Sequence, residues 1–321
     1  MHKIGKLKLS GELFLAPMAD YTNVAFRTLA REYGAALVYT ELTSAKGILM
    51  KSKRTHSMLA VSDSEKPVFL QLFGYRPTDF ADAIKLVEKN YSENFAGFDL
   101  NAGCSVPKAM KGKYGCTLMN DSQNVGQIIS SMKSQTNKPV TIKMRLGLNE
   151  DTFLDVAHAA IDNKVDAITL HARFGSQGYS GEADWKKIKL LKEETKKHKI
   201  PIIGNGDIKS PSDVLLIKKE TNCDFEMIGR AVMGNAYFFK QANALLAGKE
   251  PLLKNFSESK KEGERFLELA KEFNLGPNDL RPYFLGLSKG LIGASSLRNS
   301  FGLSKTNEDI QNIFEKYFES D

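Results

Sequence analysis

The sequence predicts an α/β fold, a (β/α)8 TIM barrel followed by a small all-helical C-terminal domain, and three observations carry that prediction. Eight short apolar runs recur between residues 13 and 229 with helical segments between them, the pattern of repeated βα units around a parallel sheet. The number of units and their span match a barrel of this class. Beyond Ala231 the alternation stops, and helical patterns continue without a strand signal. The expected division is a catalytic barrel over 1–250, a polar connector over 248–256 and a helical domain over 255–321.

Strands are expected at 13–17, 36–41, 68–73, 97–101, 140–145, 167–171, 202–205 and 225–229, each an apolar run too short for a helix. A helix is expected at 23–33, where Val24, Ala25, Leu29 and Ala30 form one stripe, and another at 78–89, with Thr78 as N-cap and Asp79 beside the positive helix end. Further helices are expected at 151–163, 184–199 and 210–221, the last opened by Ser210 with Pro211 at the first helical position. One more, at 235–247, completes the barrel. The lysines between 186 and 199 read as the solvated face of an outer helix.

At 321 residues, with 42% hydrophobic and 26% charged residues, the chain is long enough to bury a substantial core and has no signature of disorder. Cys104, Cys116 and Cys223 are too few and too scattered for a disulfide framework or a zinc cluster, which suits a cytoplasmic protein without a metal site. The opening apolar run is too short for a signal peptide, and no window reaches membrane-spanning length. A monomer is expected. The formal charge of +7 suits a polyanionic partner without requiring one. From residue 251 onward, 10 Lys and Arg face 11 Asp and Glu, yet 281–307 holds Arg281, Lys289, Arg298 and Lys305 and no acidic residue. That run is a local basic patch, with a mildly basic helical bundle as the plainer alternative.

Chemistry is sought at the carboxyl ends of the strands, which share one mouth in a barrel. Those positions hold Pro17 and Met18, Glu41, Gln71, Asn101 with Cys104, Lys143 with Arg145, His171 with Arg173, Asn205 with Asp207, and Gly229 with Arg230. So many polar strand ends point to a ligand site. Asn205-Gly206-Asp207 and Gly229-Arg230 follow the last two strands and place glycines and backbone N–H groups where barrels bind phosphate; simple tight turns are the alternative. Lys143 interrupts a buried strand, so it is expected to meet an anion or an electron-rich ring edge, or else to be a salt-bridged structural lysine. His171 has a core reading and Gln71 a loop-capping one. Cys104 follows Asn101 and Gly103, beside Lys108 and Lys111, whose charge favours a thiolate. No His-Asn pattern accompanies it, which leaves inert core or a positioned proton donor.

The motifs LAPMAD (15–20) with Phe26-Arg27, YTE (39–41), QLFG (71–74), DLNAGC (99–104), KYGC (113–116), IKMRLG (142–147), HAR with GYSGEADW (171–185), GNGDI (204–208) and GRAV (229–232) occur in order. Together they resemble the tRNA-dihydrouridine synthases, and the stretch 283–301 is similar to that family's helical tail. The resemblance implies FMN-dependent reduction of the C5–C6 bond of a specific uridine in tRNA, with NADPH or NADH as reductant. It implies hydride transfer from reduced FMN to C6 and proton donation to C5 by Cys104. Pro17 and Met18 would lie against the flavin ring, Gln71 and Lys143 on its polar edge and His171 beside it. Asn205, Gly206, Asp207, Gly229 and Arg230 would hold the ribityl chain and phosphate. Asn101, Arg145 and Arg173 would face substrate, and Arg281, Lys289 and Arg298, with Tyr283, Phe284 and Phe301 interleaved, would grip tRNA.

The chain departs from the family pattern at Ser105 in place of Pro, at Phe174-Gly175 in place of Thr-Arg, and at Leu148 in place of Trp. Two other readings stand beside this one: an FMN barrel that reduces a small pyrimidine or enone, and a non-catalytic RNA-binding protein on the same scaffold.

Overall fold

Successive side chains on a strand point to opposite faces, and that period separates two kinds of interior in this chain. The computed structural model describes residues 2–250 and 253–319, without the side chains of Arg54 and Lys108. Eight strands, β1 (Leu13–Leu15), β2 (Val38–Tyr39), β3 (Val68–Phe73), β4 (Gly97–Ala102), β5 (Val140–Gly147), β6 (Ala167–Phe174), β7 (Ile202–Asn205) and β8 (Phe225–Ile228), pair in parallel in the order β1-β8-β7-β6-β5-β4-β3-β2. A parallel bridge between Phe14 and Leu37 closes the ring, with the Ala36 N–H on the Leu13 carbonyl at 2.7 Å. The outward set, such as Phe98, Leu100, Ile142, Met144, Ile168 and Leu170, packs under the helices. The inward set starts apolar at the amino end, with Phe14, Leu37, Phe69, Ala167, Ile203 and Phe225. Towards the carboxyl end it becomes polar: Asp99, Thr141 and Thr169, then Gln71, Asn101, Lys143, His171 and Asn205. The scaffold thus delivers its polar residues to one mouth.

The helices around the barrel are α1 (Val24–Glu32), α2 (Ala45–Leu49), α3 (Pro77–Tyr91), α4 (Ser122–Lys133), α5 (Phe153–Asp162), α6 (Trp185–Glu194), α7 (Pro211–Thr221) and α8 (Tyr237–Leu246). All eight expected strands are present, although 36–41 forms only β2 before the chain turns, and Thr43–Ser44 then pairs separately with β3. Thr78 is not an N-cap: Arg76 holds that position and Pro77 opens α3, since proline has no N–H to leave unpaired there. The expected helix at 184–199 ends at Glu194 and continues as a 3-10 turn over Lys196–His198. Ser210 and Pro211 open α7 as expected, with Asp213 completing a capping box. No expectation covered α4, capped by Asp121, or the antiparallel pair Lys3–Ile4 and Leu7–Lys8, whose Ile4 joins Phe14 and Phe225 to plug the amino end.

Four helices follow: α9 (Phe256–Glu272), α10 (Pro277–Leu287), α11 (Ala294–Leu303) and α12 (Asn307–Glu319). Residues 251 and 252 of the expected connector lie outside the described residues. Buried Glu262 on α9 takes the N–H groups of Ala236 (2.6 Å) and Tyr237 (3.2 Å) at the start of α8, the Tyr283 hydroxyl (2.9 Å) and the Lys254 ammonium (2.7 Å). Beside it, Gly234 (φ +68) and Gly286 meet backbone to backbone; a Cβ on Gly234 would lie 1.9 Å from the Leu287 nitrogen. Among the described residues no helix is long and apolar enough to cross a membrane.

Candidate active site

At the end of β4 hydrogen bonds replace the sheet ladder. Asn101 Oδ1 accepts the N–H groups of Gly103 (3.3 Å) and Cys104 (3.0 Å), an Asx-type turn that fixes the cysteine's backbone. The Cys104 carbonyl accepts the Cys116 N–H at 2.8 Å and so draws the 113–116 segment back over the loop. That return needs Gly115 at φ +63, where a Cβ would sit 2.4 Å from the Cys104 oxygen. Cys104 is half-buried at the rim. Nearby, Phe73 and Tyr114 pack with ring centroids 4.5 Å apart, and burial, then the adjacent Cys104, push the Tyr114 phenol up. Cys116 is core: its thiol points to the Gly147 carbonyl at 3.3 Å, and burial pushes it up to about 11.

Beneath the mouth lies a buried polar network. Asp99 is fully buried, with Thr141 Oγ1 donating to Oδ1 at 2.5 Å and Gln71 Nε2 donating to Oδ2 at 2.8 Å. Burial raises its carboxyl to about 6, against the pull of Thr141, Gln71 and Lys143. Gln71 Oε1 accepts from Asn101 Nδ2 at 2.9 Å. Lys143 donates to Asn205 Oδ1 at 3.0 Å, which turns the Asn205 amide nitrogen to the Met227 carbonyl at 2.7 Å. Burial and then Arg145 push the Lys143 ammonium down to about 8. His171 is held neutral, well below its ordinary value, by burial and then by Lys143, Arg145, Arg173 and Arg230.

On the far side the arginines are largely committed to the protein. Arg173, 1% exposed, donates to the Gly181 carbonyl (2.7 Å) and to Asp207 Oδ2 (2.8 Å). Arg145 donates to the carbonyls of Gly103 (3.0 Å), Phe174 (2.8 Å) and Gly178 (2.9 Å), so it ties the cysteine loop to the loop after β6. Asp207 adopts φ +53, and although burial opposes it, the Ala183 N–H and Arg173 hold its carboxyl below the ordinary value. Gly206 (φ +113) leaves no room for a side chain, since a Cβ would lie 2.8 Å from His171 Cδ2. Its carbonyl accepts the Trp185 indole N–H at 2.9 Å. Arg230, its side chain 48% exposed, reaches Asp207 Oδ1 at 3.3 Å and lies 4.5 Å over the Tyr179 ring. A Cβ on Gly229 would touch Met18 Sδ at 3.8 Å, so the Pro17-Met18 end of β1 adjoins the loop after β8.

A family model described as dihydrouridine synthase (Dus) matches residues 14–320. The chain belongs to the dihydrouridine synthase family. It is 37% identical over 234 residues to a probable tRNA-dihydrouridine synthase of Aquifex aeolicus, covering 72% of each chain. It is 31% identical to the protein of the same description from Mycobacterium tuberculosis, covering 98% of this chain and 84% of that one. Among solved structures it is similar in fold to a 2-naphthoyl-CoA reductase complex, with a TM-score of 0.58 at 12% identity, over 77% of this chain and 52% of that one. This chain spans about half the length of that reductase.

In this member of the dihydrouridine synthase family the tail residues fall into two groups. Tyr283, Phe284 and Phe301, expected beside the basic residues as part of a tRNA grip, are instead core: each is at most 2% exposed, and the Phe266 ring stacks on Tyr283 at 3.8 Å. Their spacing is the buried stripe of α10 and α11. Lys289 is exposed, Arg298 is half-buried, and Arg281 is partly engaged by the Ser304 carbonyl at 2.6 Å. The Lys108 side chain lies outside the described residues. Asp99, Thr141 and Trp185 belong to the site without standing among its sequence-predicted residues; for Asp99 the available signal is a carboxylate in the middle of an apolar strand.

Proposed function

We propose that this chain reduces uridine in tRNA to 5,6-dihydrouridine with a bound flavin mononucleotide, and that Cys104 is the proton donor. The observation that carries this reading is the gathering of Gln71 and Cys104, both bonded to Asn101, with Lys143, bonded to Asn205, and Arg230, paired with Asp207, at the carboxyl ends of the barrel strands in a chain whose family match runs nearly end to end. The donor set fits a flavin. Lys143 gives one N–H to Asn205 and has two more for an acceptor-rich ring edge. Gln71, with Nε2 on Asp99 and Oε1 taken by Asn101, keeps one N–H beside it. Arg230 is half-exposed next to Gly206 and Gly229, as a phosphate clamp requires. Pro17 and Met18 supply an apolar surface for one ring face.

The chemistry a bound reduced flavin would supply here is a hydride for C6 of the uracil ring, with a nicotinamide nucleotide as its reductant. Cys104 gives its thiol proton to C5, so that one hydride and one proton saturate the bond. The Asn101 turn holds the Cys104 backbone, and Arg145 braces the same loop through Gly103. His171, kept neutral, adds no charge to a site already flanked by cations. Arg173 acts through Asp207 and the loop after β6. The base must leave its stack at a cost of a few kcal/mol, which Asn101 offsets through its amide and the surface cations Lys289 and Arg298 through phosphate contacts. The test is the purified protein itself: it is expected to be yellow, to release flavin mononucleotide on heating, and to be bleached by NADPH. A colourless preparation that takes up no added flavin contradicts the proposal.

A further inference from the structure

The polar network under the mouth has a direction, set by a residue that does not reach the mouth. A buried carboxylate accepts hydrogen bonds and donates none. Asp99, fully buried with both oxygens bonded, therefore obliges Gln71 to turn its amide nitrogen inward. Gln71 Oε1 is then left to accept from Asn101 Nδ2. This in turn leaves Asn101 Oδ1 for the N–H groups of Gly103 and Cys104. Each step follows from the one before, because an amide has one donor end and one acceptor end.

We propose that Asp99 is a positioning residue that sets the amide direction of Gln71 and Asn101, and through them both the Cys104 backbone and the polarity that Asn101 offers to a ligand. Both lone pairs of Asn101 Oδ1 are taken by backbone N–H groups, and one N–H of its Nδ2 is taken by Gln71. What remains is a single donor. A ring that brings a carbonyl oxygen to this point satisfies it, and a ring that brings an amino group meets a donor with a donor. The site so arranged selects a uracil-type edge over a cytosine-type edge by a mechanism that starts two residues upstream of Asn101. This selectivity rests on the function proposed above, whereas the orientation of the chain of amides does not.

The isosteric change Asp99→Asn tests the proposal because it reverses the chain. The amide introduced at this position accepts from Thr141 and donates to Gln71; Gln71 turns and donates to Asn101; Asn101 turns and releases Gly103 and Cys104. In the full-length, flavin-loaded protein, iodoacetamide alkylation of Cys104, followed by peptide mass spectrometry without substrate, is expected to accelerate about fivefold, the factor given by the net contribution of one neutral hydrogen bond. The double variant Asp99→Asn with Gln71→Glu restores an acceptor-only group next to Asn101 and is expected to return alkylation to within about twofold of wild type, a rescue that mere loss of packing would not give. Gln71→Leu removes the relay without reversing it, because the two backbone N–H groups still hold Asn101 Oδ1, and it is expected to stay within about twofold of wild type. Uridine reduction on tRNA is expected to lose kcat by about tenfold in Asp99→Asn with KM changed less. Unchanged alkylation in Asp99→Asn overturns the proposal, as does an acceleration in Gln71→Leu equal to that in Asp99→Asn, or failure of the double variant to restore it. This alkylation pattern among the variants of a wild-type protein that reduces no uridine overturns the functional reading and leaves the positioning role standing.

Discussion

Cys104 is held almost wholly by its backbone: its N–H goes to Asn101, its carbonyl to Cys116, and Gly115 gives the returning chain room to pass. The side chain is left free to act, which is what a proton donor to a planar ring needs. Replacing Cys104 by Ala is expected to leave flavin and tRNA binding intact and to lower product formation by about 10²-fold or more, the range for loss of a positioned general acid; single-turnover kinetics with pre-reduced protein reads this directly. Near-normal turnover would remove the role. The cysteine was legible in the sequence because a thiol between glycine and a basic loop is not core. The contacts that govern it were not, because Gln71 lies on a different strand, 28 residues before Asp99, and only the barrel brings its side chain to Asp99 and Asn101.

Whole elements were read more completely than their ends. Apolar runs of barrel strands survive in sequence because both faces are covered, and so β3 was placed to the residue. The short β2 was overextended, since apolar side chains at 36–39 serve barrel closure as well as pairing. α4 escaped notice because Ser, Gln and Asn dilute its stripe of Val125, Ile128, Ile129 and Met132. The interior of β8 conceals another feature. Glu226 points outward from the strand, fully buried, with Oε2 unpartnered and Oε1 only 3.7 Å from Cys223 Sγ; Lys218, Glu12 and Asp224 lie around it. Burial raises its carboxyl from 4.5 to about 8. Between those values the folded state holds a proton that the unfolded chain has released, so this group's contribution to stability is full below about pH 4.5 and is lost as pH rises through about 8. Glu226→Gln is expected to flatten that limb of the melting temperature against pH and to raise stability above pH 8. A variant with the same slope as wild type would place the dependence elsewhere.

At the scale of the molecule, the helical tail is not loosely appended. Glu262 ties α9 to the start of α8, and the Gly234–Gly286 contact presses α10 against the loop that leads from Arg230 to α8. The tail's surface cations are therefore held in fixed register with the barrel mouth. Glu262→Ala removes the carboxylate shared by two N–H groups, the Lys254 ammonium and the Tyr283 hydroxyl, leaving Lys254 only Asn235 Oδ1 (3.2 Å) and Tyr283 only the residue-262 carbonyl (3.5 Å), and is expected to cost about 3–5 kcal/mol in denaturant unfolding; a loss under about 1 kcal/mol would mean that the junction is held by packing alone. The sequence disclosed that a tail existed and that its 281–307 stretch carries cations and no acidic residue. It did not disclose the junction, because Glu262 sits in a run of charged residues that reads as solvated, and its partners lie on α8 and α10.

The central claim is that this chain makes dihydrouridine in tRNA. Mass spectrometry of nuclease-digested tRNA, taken from cells with and without the gene and from cells carrying only the Cys104→Ala form, tests it most directly. Dihydrouridine is expected to disappear from defined tRNA positions when the gene is lost, to return with the wild-type chain and not to return with Cys104→Ala. Unchanged dihydrouridine at every position in cells with no second enzyme of this family would contradict it.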